Sequence, residues 1–541
     1  MNATDLTMRA AIFRKRQADH TINVSVCSGS PCIAAGAENI LTALRGLDLP
    51  VSVHTFGVGC MGPCSRGPLI RIESNGQVAT YERMTTSLAA SALLAHLEDR
   101  NQAEGLLSEE FPFFVGQQRI VLSNCGGIDP ENLESALGAG AYGALARMME
   151  EMTPEQVCAE IAASGLRGRG GGGYPTGTKW NLVRGAAGTR KFIVANGDEG
   201  DPGAFMDRTL MESDPHRLLE GMAIAGYAVG AKHGFIYVRG EYPLAARRLR
   251  LAIQQAEEAG ILGRRVLDNR FSFSIRLRIG AGAFVCGEET ALMASVMGQR
   301  GQPLIRPPYP AQRGLWGCST LINNVETFGC IPPIIQNGAS WFNSIGTPGN
   351  SGTKVFSISG DVATIGVLEV PLGTPLKKIV QMAGGVVGGN FKAAQTGGAS
   401  GGCIPASHLD MPVDFDSLPH LGSIMGSGGM IIINDQRCMP DMARFFIDFC
   451  REESCGKCVP CRTGTEQLLR LLDRITQGEG AEEDLGRMKE LCTLMQDASL
   501  CGLGMAAPTP VLSTLRWFRH EYEAHIRNGV CPSGVCSRGD I

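Results

Sequence analysis

Residues 165–201 read GLRGRGGGGYPTGTKWNLVRGAAGTRKFIVANGDEGD. Six glycines fall in the ten positions Gly168–Gly177, and Lys179 follows. Glycine lets backbone N–H groups approach an anion closely, and a lysine ammonium adds a point charge suited to phosphate. After the apolar run Phe192–Ala195 come Asn196, Asp198, Glu199 and Asp201. Their amides and carboxylates can hydrogen-bond ribose hydroxyls or a heterocycle edge. The stretch has the chemistry of a nucleotide-type cofactor site. It contains G-x-G-x-x-G at Gly168, Gly170 and Gly173. A helix (Pro154–Ser164) is expected before it, however, whereas the dinucleotide fingerprint follows a strand. The expectation is phosphate binding without the ordinary Rossmann turn; the bland alternative is a flexible glycine hinge.

Two more stretches carry polar groups among turn formers. Residues 280–290, GAGAFVCGEET, hold the adjacent carboxylates Glu288 and Glu289, a pattern more often found at a solvated helix start. Residues 307–327 end in Asn323 and Asn324, whose amides could read a ring edge or cap the next helix.

The cysteines form separate groups. Cys455, Cys458 and Cys461 make C-x2-C-x2-C, a strong signal for a four-iron cluster, with zinc as the alternative. The fourth ligand must be distant: Cys501 is the first candidate and Cys492 its rival. Cys27 and Cys32 (C-x4-C) and Cys60 and Cys64 (C-x3-C) lie where strands run into loops. Four thiolates there suit a two-iron cluster or zinc. Cys531 and Cys536 find no assignment.

The elements that must position these groups follow from periodicity. Thr21–Val26 and Val51–Val58 read as strands, Ile33–Leu47 and Ser87–Leu97 as helices, and Leu69–Tyr81 as a hairpin across Asn75-Gly76. Phe192–Ala195, Phe235–Val238 and Phe271–Ile279 read as strands; Pro215–Val229 and Glu288–Met297 read as helices. Alternating strands and a helix fill Thr353–Ala383. Asp441–Glu452, Thr465–Ile475, Leu485–Met495 and Val511–Ile526 read as helices. The divisions are a small α/β segment 1–105, a linker 106–130, a large α/β unit 131–350, a β-rich unit 351–440, a helical unit 441–530 and a tail 531–541.

With 541 residues and 44% hydrophobic content, the chain can build several cores. A net charge of −4 argues against a nucleic-acid binder. Nineteen cysteines, an odd count, argue against a purely disulfide framework. Met1–Asp19 has no apolar signal region, and no stretch reads as a membrane span. A reducing, cytoplasmic setting is the expectation.

The stretches GLRGRGGGGYPTGTKW, NGDEGDPGAFMDR, GAGAFVCGEETAL, the PPYPA…NNVET run and ESCGKCVPCR with Cys501 together resemble one family. It is the NADH-binding flavoprotein subunit of complex I, with its relatives in NAD-linked hydrogenases and formate dehydrogenases. The resemblance covers about residues 115–530, and the first segment is similar to the thioredoxin-like two-iron ferredoxin of the same complexes. It implies a multidomain α/β and α+β fold: thioredoxin-like domain, Rossmann-like FMN and NAD domain, ubiquitin-like β-grasp domain and C-terminal helical bundle. FMN would contact Gly168, Arg169, Gly170, Lys179, Asn196, Asp198, Glu199, Phe284, Gly287, Glu288, Asn323, Asn324 and Thr327. NAD(H) would stack near Tyr174 and Tyr309 and meet Glu289 and Asp201. A [4Fe-4S] cluster would sit on Cys455, Cys458, Cys461 and Cys501, and a [2Fe-2S] cluster on Cys27, Cys32, Cys60 and Cys64. Hydride would pass between NAD(H) and FMN with no side chain as acid or base. The wording PPYPAQRGLWG and the fused first segment lean towards a formate dehydrogenase or hydrogenase. The other substrate would then react on a molybdenum, tungsten or nickel partner subunit.

Overall fold

The computed structural model describes residues 1–98, 104–108 and 110–536. Residues 99–103, 109 and 537–541, parts of the expected first segment, linker and tail, lie outside the described residues. The architecture is mixed α/β with several sheets and a helical unit.

Strands β1 (Ile22–Cys27), β2 (Val53–Val58), β3 (Ile70–Ser74) and β4 (Gln77–Tyr81) form a sheet in the order β2-β1-β3-β4. β1 and β2 run parallel, and β3 runs antiparallel to β1 and β4. Asn75 (φ 53°) and Gly76 (φ 76°) make the tight turn, as left-handed residues do in a two-residue hairpin. Val24 and Val26 are buried with Ile40, Leu44, Ala89 and Leu93 of the helices Ala37–Arg45 and Thr86–Leu97. The single helix expected over Ile33–Leu47 breaks at Gly36, whose φ of 98° ends one turn and starts another.

Two divisions differ from expectation. Met1–Asp19 carries a helix, Ala3–Ala18, closed by a capping box between Asn2 and Asp5. It joins not the first sheet but the large unit: Leu6 and Ala10 are buried there, and Arg9 pairs with Glu134. The segment expected as a linker is packed. Phe113 is fully buried in the β-rich unit, and the N–H groups of Ile120, Val121 and Leu122 donate to Glu369 at 3.0, 3.0 and 2.9 Å. Its aromatic and branched residues bury apolar surface that a free linker would leave in water.

The large unit is built on four strands: β5 (Lys191–Gly197), β6 (His233–Arg239), β7 (Ser274–Gly280) and β8 (Ser319–Asn324). All are parallel, in the order β7-β6-β5-β8. β5 is buried along nearly its whole length, which explains its continuous apolar run. The helix Pro215–Val229 links β5 to β6 and ends at Gly230, φ 80°.

A two-residue pair, β9 (Gly346–Thr347) with β10 (Asn350–Ser351), leads into β11 (Thr353–Gly360), β12 (Gly366–Pro371), β13 (Phe391–Thr396), β14 (Gly402–Pro405) and β15 (Gly429–Asn434). Their order is β12-β11-β15-β13-β14, with only β11 and β15 parallel. The helix Leu376–Met382 buries Ile379 and Val380 in the same core.

Helices Met439–Glu452, Val459–Thr476, Glu482–Ala498, Thr509–Trp517 and Arg519–Asn528 close the chain around Phe446, Leu468, Leu472, Met488 and Val511. The helix expected over Val511–Ile526 breaks at Phe518, which leaves the helical register and is buried with Ala393, Cys403 and Met439. Among the described residues no helix is long and apolar enough to cross a membrane.

Candidate functional site

The carboxyl ends of the parallel strands meet in one place. β8 lies on the opposite side of β5 from β6, and in register Ala195 faces Asn323 and Asn196 faces Asn324. A reversal of winding at adjacent parallel strands opens a crevice outside their carboxyl ends. The residues after β5 (198–201), the end of β6 at Arg239 and the loop 281–288 after β7 border the same end.

The glycine loop follows the expected helix, found at Pro154–Ala163, and leads into a second one, Thr176–Gly185. Gly168 N–H donates to Tyr174 O at 2.9 Å. A Cβ on Gly170 would lie 2.9 Å from Cβ of Asn324, so only glycine lets the loop touch the end of β8. Gly171 (φ 126°) bridges to Gly426, and Gly173 (φ 58°) would place a Cβ 2.7 Å from Phe415. The loop is thus braced against the β-rich unit rather than hinged.

Several expected contacts prove to be committed within the protein. The Arg169 side chain is fully buried, its guanidinium donating to the carbonyls of Ser351, Arg167 and Thr353 at 2.7, 2.9 and 3.1 Å. Its backbone N–H donates to Thr327 Oγ1 at 2.9 Å. Arg169 therefore clamps the loop, and its charge does not face the crevice. Glu199 is buried and accepts from the N–H groups of Asp207 and Arg208 at 2.9 and 3.0 Å, capping the helix Met206–Ser213. Burial pushes its carboxyl up. Glu288 accepts from the N–H groups of Thr290 and Ala291 at 2.9 and 3.0 Å, and Asn324 caps Val325–Gly329. The helix-cap alternatives hold for both.

Other groups keep part of their surface exposed. Lys179 Nζ lies 2.5 Å from Glu289 Oε1 and 3.0 Å from Ile322 O. Asn196 Nδ2 donates to Gly287 O at 2.8 Å, holding the β7 loop to β5. Phe284 packs edge-on to Phe449. Tyr174 and Tyr309 are about half exposed, at 49% and 53%, which leaves their faces open to stacking.

Both carboxylate oxygens of Asp198, the Nδ2 of Asn323 and the Nε of Arg239 are buried without a hydrogen-bond partner. Burial pushes the Asp198 carboxyl up to about 7, with Arg239 opposing. Such orphans are costly unless a ligand satisfies them. A donor-and-acceptor-rich heterocycle fits this set. Asp201 also reaches about 7 through burial, but it lies under the β-rich unit beside Ser427 (3.4 Å).

Cys455, Cys458, Cys461 and Cys501 line one small cavity with Val285, Pro303, Ser454 and Leu503. Cys492 instead sits fully buried in the helical core, its thiol pushed up to about 12 by burial. The loop after β7 and this cavity share a wall: Val285 lines the cavity, and Phe284 N–H donates to Glu453, next to Ser454, at 2.8 Å.

The model of the Nuo51 FMN-binding domain matches residues 161–333, and that of the NADH-ubiquinone oxidoreductase-F iron–sulfur binding region matches residues 441–525. The NADP-reducing hydrogenase subunit HndC of Solidesulfovibrio fructosivorans is 50% identical over 423 residues, 78% of this chain and 86% of that one. The chain belongs to the family of NADH-binding FMN and iron–sulfur subunits found in complex I and NAD(P)-linked hydrogenases. An NADH-quinone oxidoreductase subunit of Rhizobium meliloti is 43% identical over 76% of this chain and 99% of its own. A crystal structure of NAD+-reducing [NiFe]-hydrogenase in the air-oxidized state covers 96% of this chain and 88% of that chain, with TM-score 0.68 and 29% identity. Family membership makes this an NAD(H)-linked flavin iron–sulfur oxidoreductase.

In this family member the four cysteines of the first sheet unit also converge. Cys60 Sγ lies 3.6 Å from Cys64 Sγ, and Gly62 N–H donates to Cys60 Sγ at 3.3 Å. Cys27 is held well below the usual thiol range by hydrogen bonds from Cys32 and Cys60. A Cβ on Gly67 would lie 2.6 Å from Cys32 Sγ. Sequence reasoning missed Arg239 and Glu453. Arg239, the last residue of β6 and the one after the buried run Phe235–Val238, had a signal in its position at a parallel strand's carboxyl end.

Proposed function

We propose that this chain is the diaphorase subunit of a multisubunit NAD(H)-linked enzyme, exchanging electrons with a partner subunit that carries the second active site. The observation that carries this reading is the shared wall between the crevice with its orphaned polar groups and the cavity of Cys455, Cys458, Cys461 and Cys501. Bound FMN supplies two-electron hydride exchange with NAD(H), and the iron–sulfur clusters supply one-electron transfer.

The protein's own groups bind and orient. The backbone of Gly168 and Gly170 and the Lys179 ammonium would hold the flavin phosphate end. Asp198, Asn196 and Asn323 would meet the flavin's polar groups. Tyr174 and Tyr309 would stack on the nucleotide, and Glu289 would accept from it; we assign NAD(H). Cys501 completes the four-iron ligand set. The order β2-β1-β3-β4, with one parallel pair, supports a thioredoxin-like unit holding a two-iron cluster on Cys27, Cys32, Cys60 and Cys64. The parallel β11–β15 pair inside an antiparallel sheet with one packed helix supports the β-grasp assignment.

Similarity to two hydrogenase chains supports a hydrogenase-type partner over a molybdenum or tungsten formate dehydrogenase; a complex I assembly is the other reading, supported by the NADH-quinone oxidoreductase relatives. The proposed setting is the cytoplasm. The test is NADH-to-dye reduction by the anaerobically purified chain, with flavin and iron analysis. Protein holding FMN and reducing dye supports the reading. A scaffold without FMN and without dye reduction overturns it. Molybdenum or tungsten against nickel in the co-purified complex identifies the partner.

A further inference from the structure

We infer that Arg71 and Arg119 are the counter-charge of the cluster proposed on Cys27, Cys32, Cys60 and Cys64, and that they make it easier to reduce. That role rests on the two-iron reading given above. The two arginines come from separate parts of the chain. Arg71 lies on β3, and Arg119 on the packed segment between the first sheet and the large unit.

In register, Arg71 stands opposite Ser25 across the antiparallel pair of β1 and β3. Ser25 and Cys27 share a face of β1, as alternate residues of a strand do. Arg71 is therefore on the Cys27 side of the sheet, one diagonal step away. Diagonal neighbours stand about 7–8 Å apart, within reach of a long side chain. Cys27 N–H donates to Leu69 O at 3.0 Å, which pins this register where the cysteine loop begins. Arg119 reaches the cysteine loops from the large unit. Its Nη2 donates to Cys125 O at 2.8 Å. The next residue, Gly126, abuts the loop itself: a Cβ there would lie 3.2 Å from Cα of Met61, the neighbour of Cys60.

The Nε atoms of both arginines are buried without a hydrogen-bond partner. Arg169 is the contrast, since its buried guanidinium donates to three carbonyls. Burial and the nearby Arg119 hold the Arg71 guanidinium below the usual arginine range, with Glu73 and Cys27 opposing. Like charges kept together in a partly buried place are costly unless an anion offsets them. Two ferric ions, two sulfides and four thiolates sum to a net charge of about −2, and one electron from the reduced flavin makes it about −3. No bond forms or breaks in that step. Fixed cations favour the more negative form. At an effective dielectric constant of about 20, a unit charge about 10 Å away favours it about tenfold.

The test is a redox titration of the anaerobically purified full chain, followed by the paramagnetic resonance signal of the two-iron centre. Arg71→Gln should shift the equilibrium about tenfold against the reduced form, a midpoint more negative by about 59 mV for one electron. Arg119→Gln should shift it the same way. Arg71→Lys, which keeps the charge, should shift it clearly less. Iron content, FMN content and the four-iron midpoint should stay unchanged. Unmoved two-iron midpoints in both Gln variants would overturn the role, and so would equal shifts in Arg71→Lys and Arg71→Gln, which mark packing rather than charge. If Arg71→Gln fails to hold its cluster, Arg119→Gln, outside the first sheet, decides by its own midpoint. Wild type without a two-iron signal would remove the cluster reading and this role together, whereas a normal signal with unmoved midpoints removes this role alone.

Discussion

Lys179 Nζ lies 2.5 Å from Oε1 of Glu289, joining two residues whose expected ligands differ, the flavin phosphate and the pyridine nucleotide. Both side chains are about a quarter exposed, 25% and 29%, so the pair itself contributes about 1 kcal/mol or less. A phosphate can therefore take the place of the carboxylate at little cost. Lys179→Ala should weaken FMN retention by about tenfold or more, the loss of one charge-assisted contact. Glu289→Gln should keep FMN and raise KM for NADH. Fluorimetric FMN titration checks the first, and full flavin occupancy in Lys179→Ala would remove the phosphate role.

Cys501 shares a cavity with Cys455, Cys458 and Cys461, whereas Cys492 is enclosed by Leu468, Met488 and Met495. Cys501→Ser should abolish the four-iron signal in paramagnetic resonance. Cys492→Ser should keep that signal and lose about 1–3 kcal/mol of stability, because its hydroxyl enters an apolar site. The opposite pattern would reassign the ligand.

Asp198 carries a folded-state pKa of about 7 against an ordinary 3.8, mainly through burial. A raised carboxyl favours its protonated form in the folded state. Its contribution is therefore greatest below pH 3.8 and declines as pH climbs towards 7. In flavin-free protein, Asp198→Asn should flatten the fall in stability across that window, by at most about 1.4 kcal/mol per pH unit. It should also weaken FMN binding. Denaturant unfolding at several pH values reads the first effect; an unchanged slope would count against burial of this carboxyl.

Glu212 accepts from Ser30 N–H at 3.0 Å and Ser30 Oγ at 2.6 Å, and Ser213 Oγ accepts from Cys60 N–H at 2.8 Å. The same helix is capped by Glu199 at its other end, so it ties the crevice to the cysteine loops of the first sheet. Glu212→Gln should loosen that docking by about 1–3 kcal/mol. Hydrogen exchange should rise at residues 28–32 and 59–64 while the core of the large unit stays protected. Unchanged exchange there would show the contact to be dispensable.

Gly170 has no room for a methyl group beside Asn324. Gly170→Ala should push the loop off the end of β8 and cut flavin content, with the melting temperature of the flavin-free chain little changed. Normal flavin content in this variant would show that the loop tolerates the shift.

Local patterns were legible in the chain because their causes are local. Pro215–Val229 matches its expected bounds, since a capping Asp214 and a terminal Gly230 are both readable. The hairpin at Asn75-Gly76 was equally plain. The C-x2-C-x2-C run was legible as a cluster signal by its spacing, and it falls in the matched iron–sulfur binding region. Not legible was the fate of Arg169: an arginine in a glycine loop suggests an anion, yet its guanidinium turns inward to three carbonyls. Glu199 and Glu288 likewise became helix caps, because nearby orphan N–H groups compete for any carboxylate in reach.

By themselves, periodicity and spacing made the α/β unit and the cysteine groups legible, because they act over a few residues, and several motifs together carried the resemblance to a flavin and iron–sulfur family. Only the tertiary structure brought Cys501, and not Cys492, to the cavity of Cys455, Cys458 and Cys461, placed the helix Ala3–Ala18 on the large unit, and gathered Cys438, His525, Cys531 and Cys536. Those choices depend on which distant segments bury their apolar faces together, and packing across a hundred residues leaves no mark in local pattern.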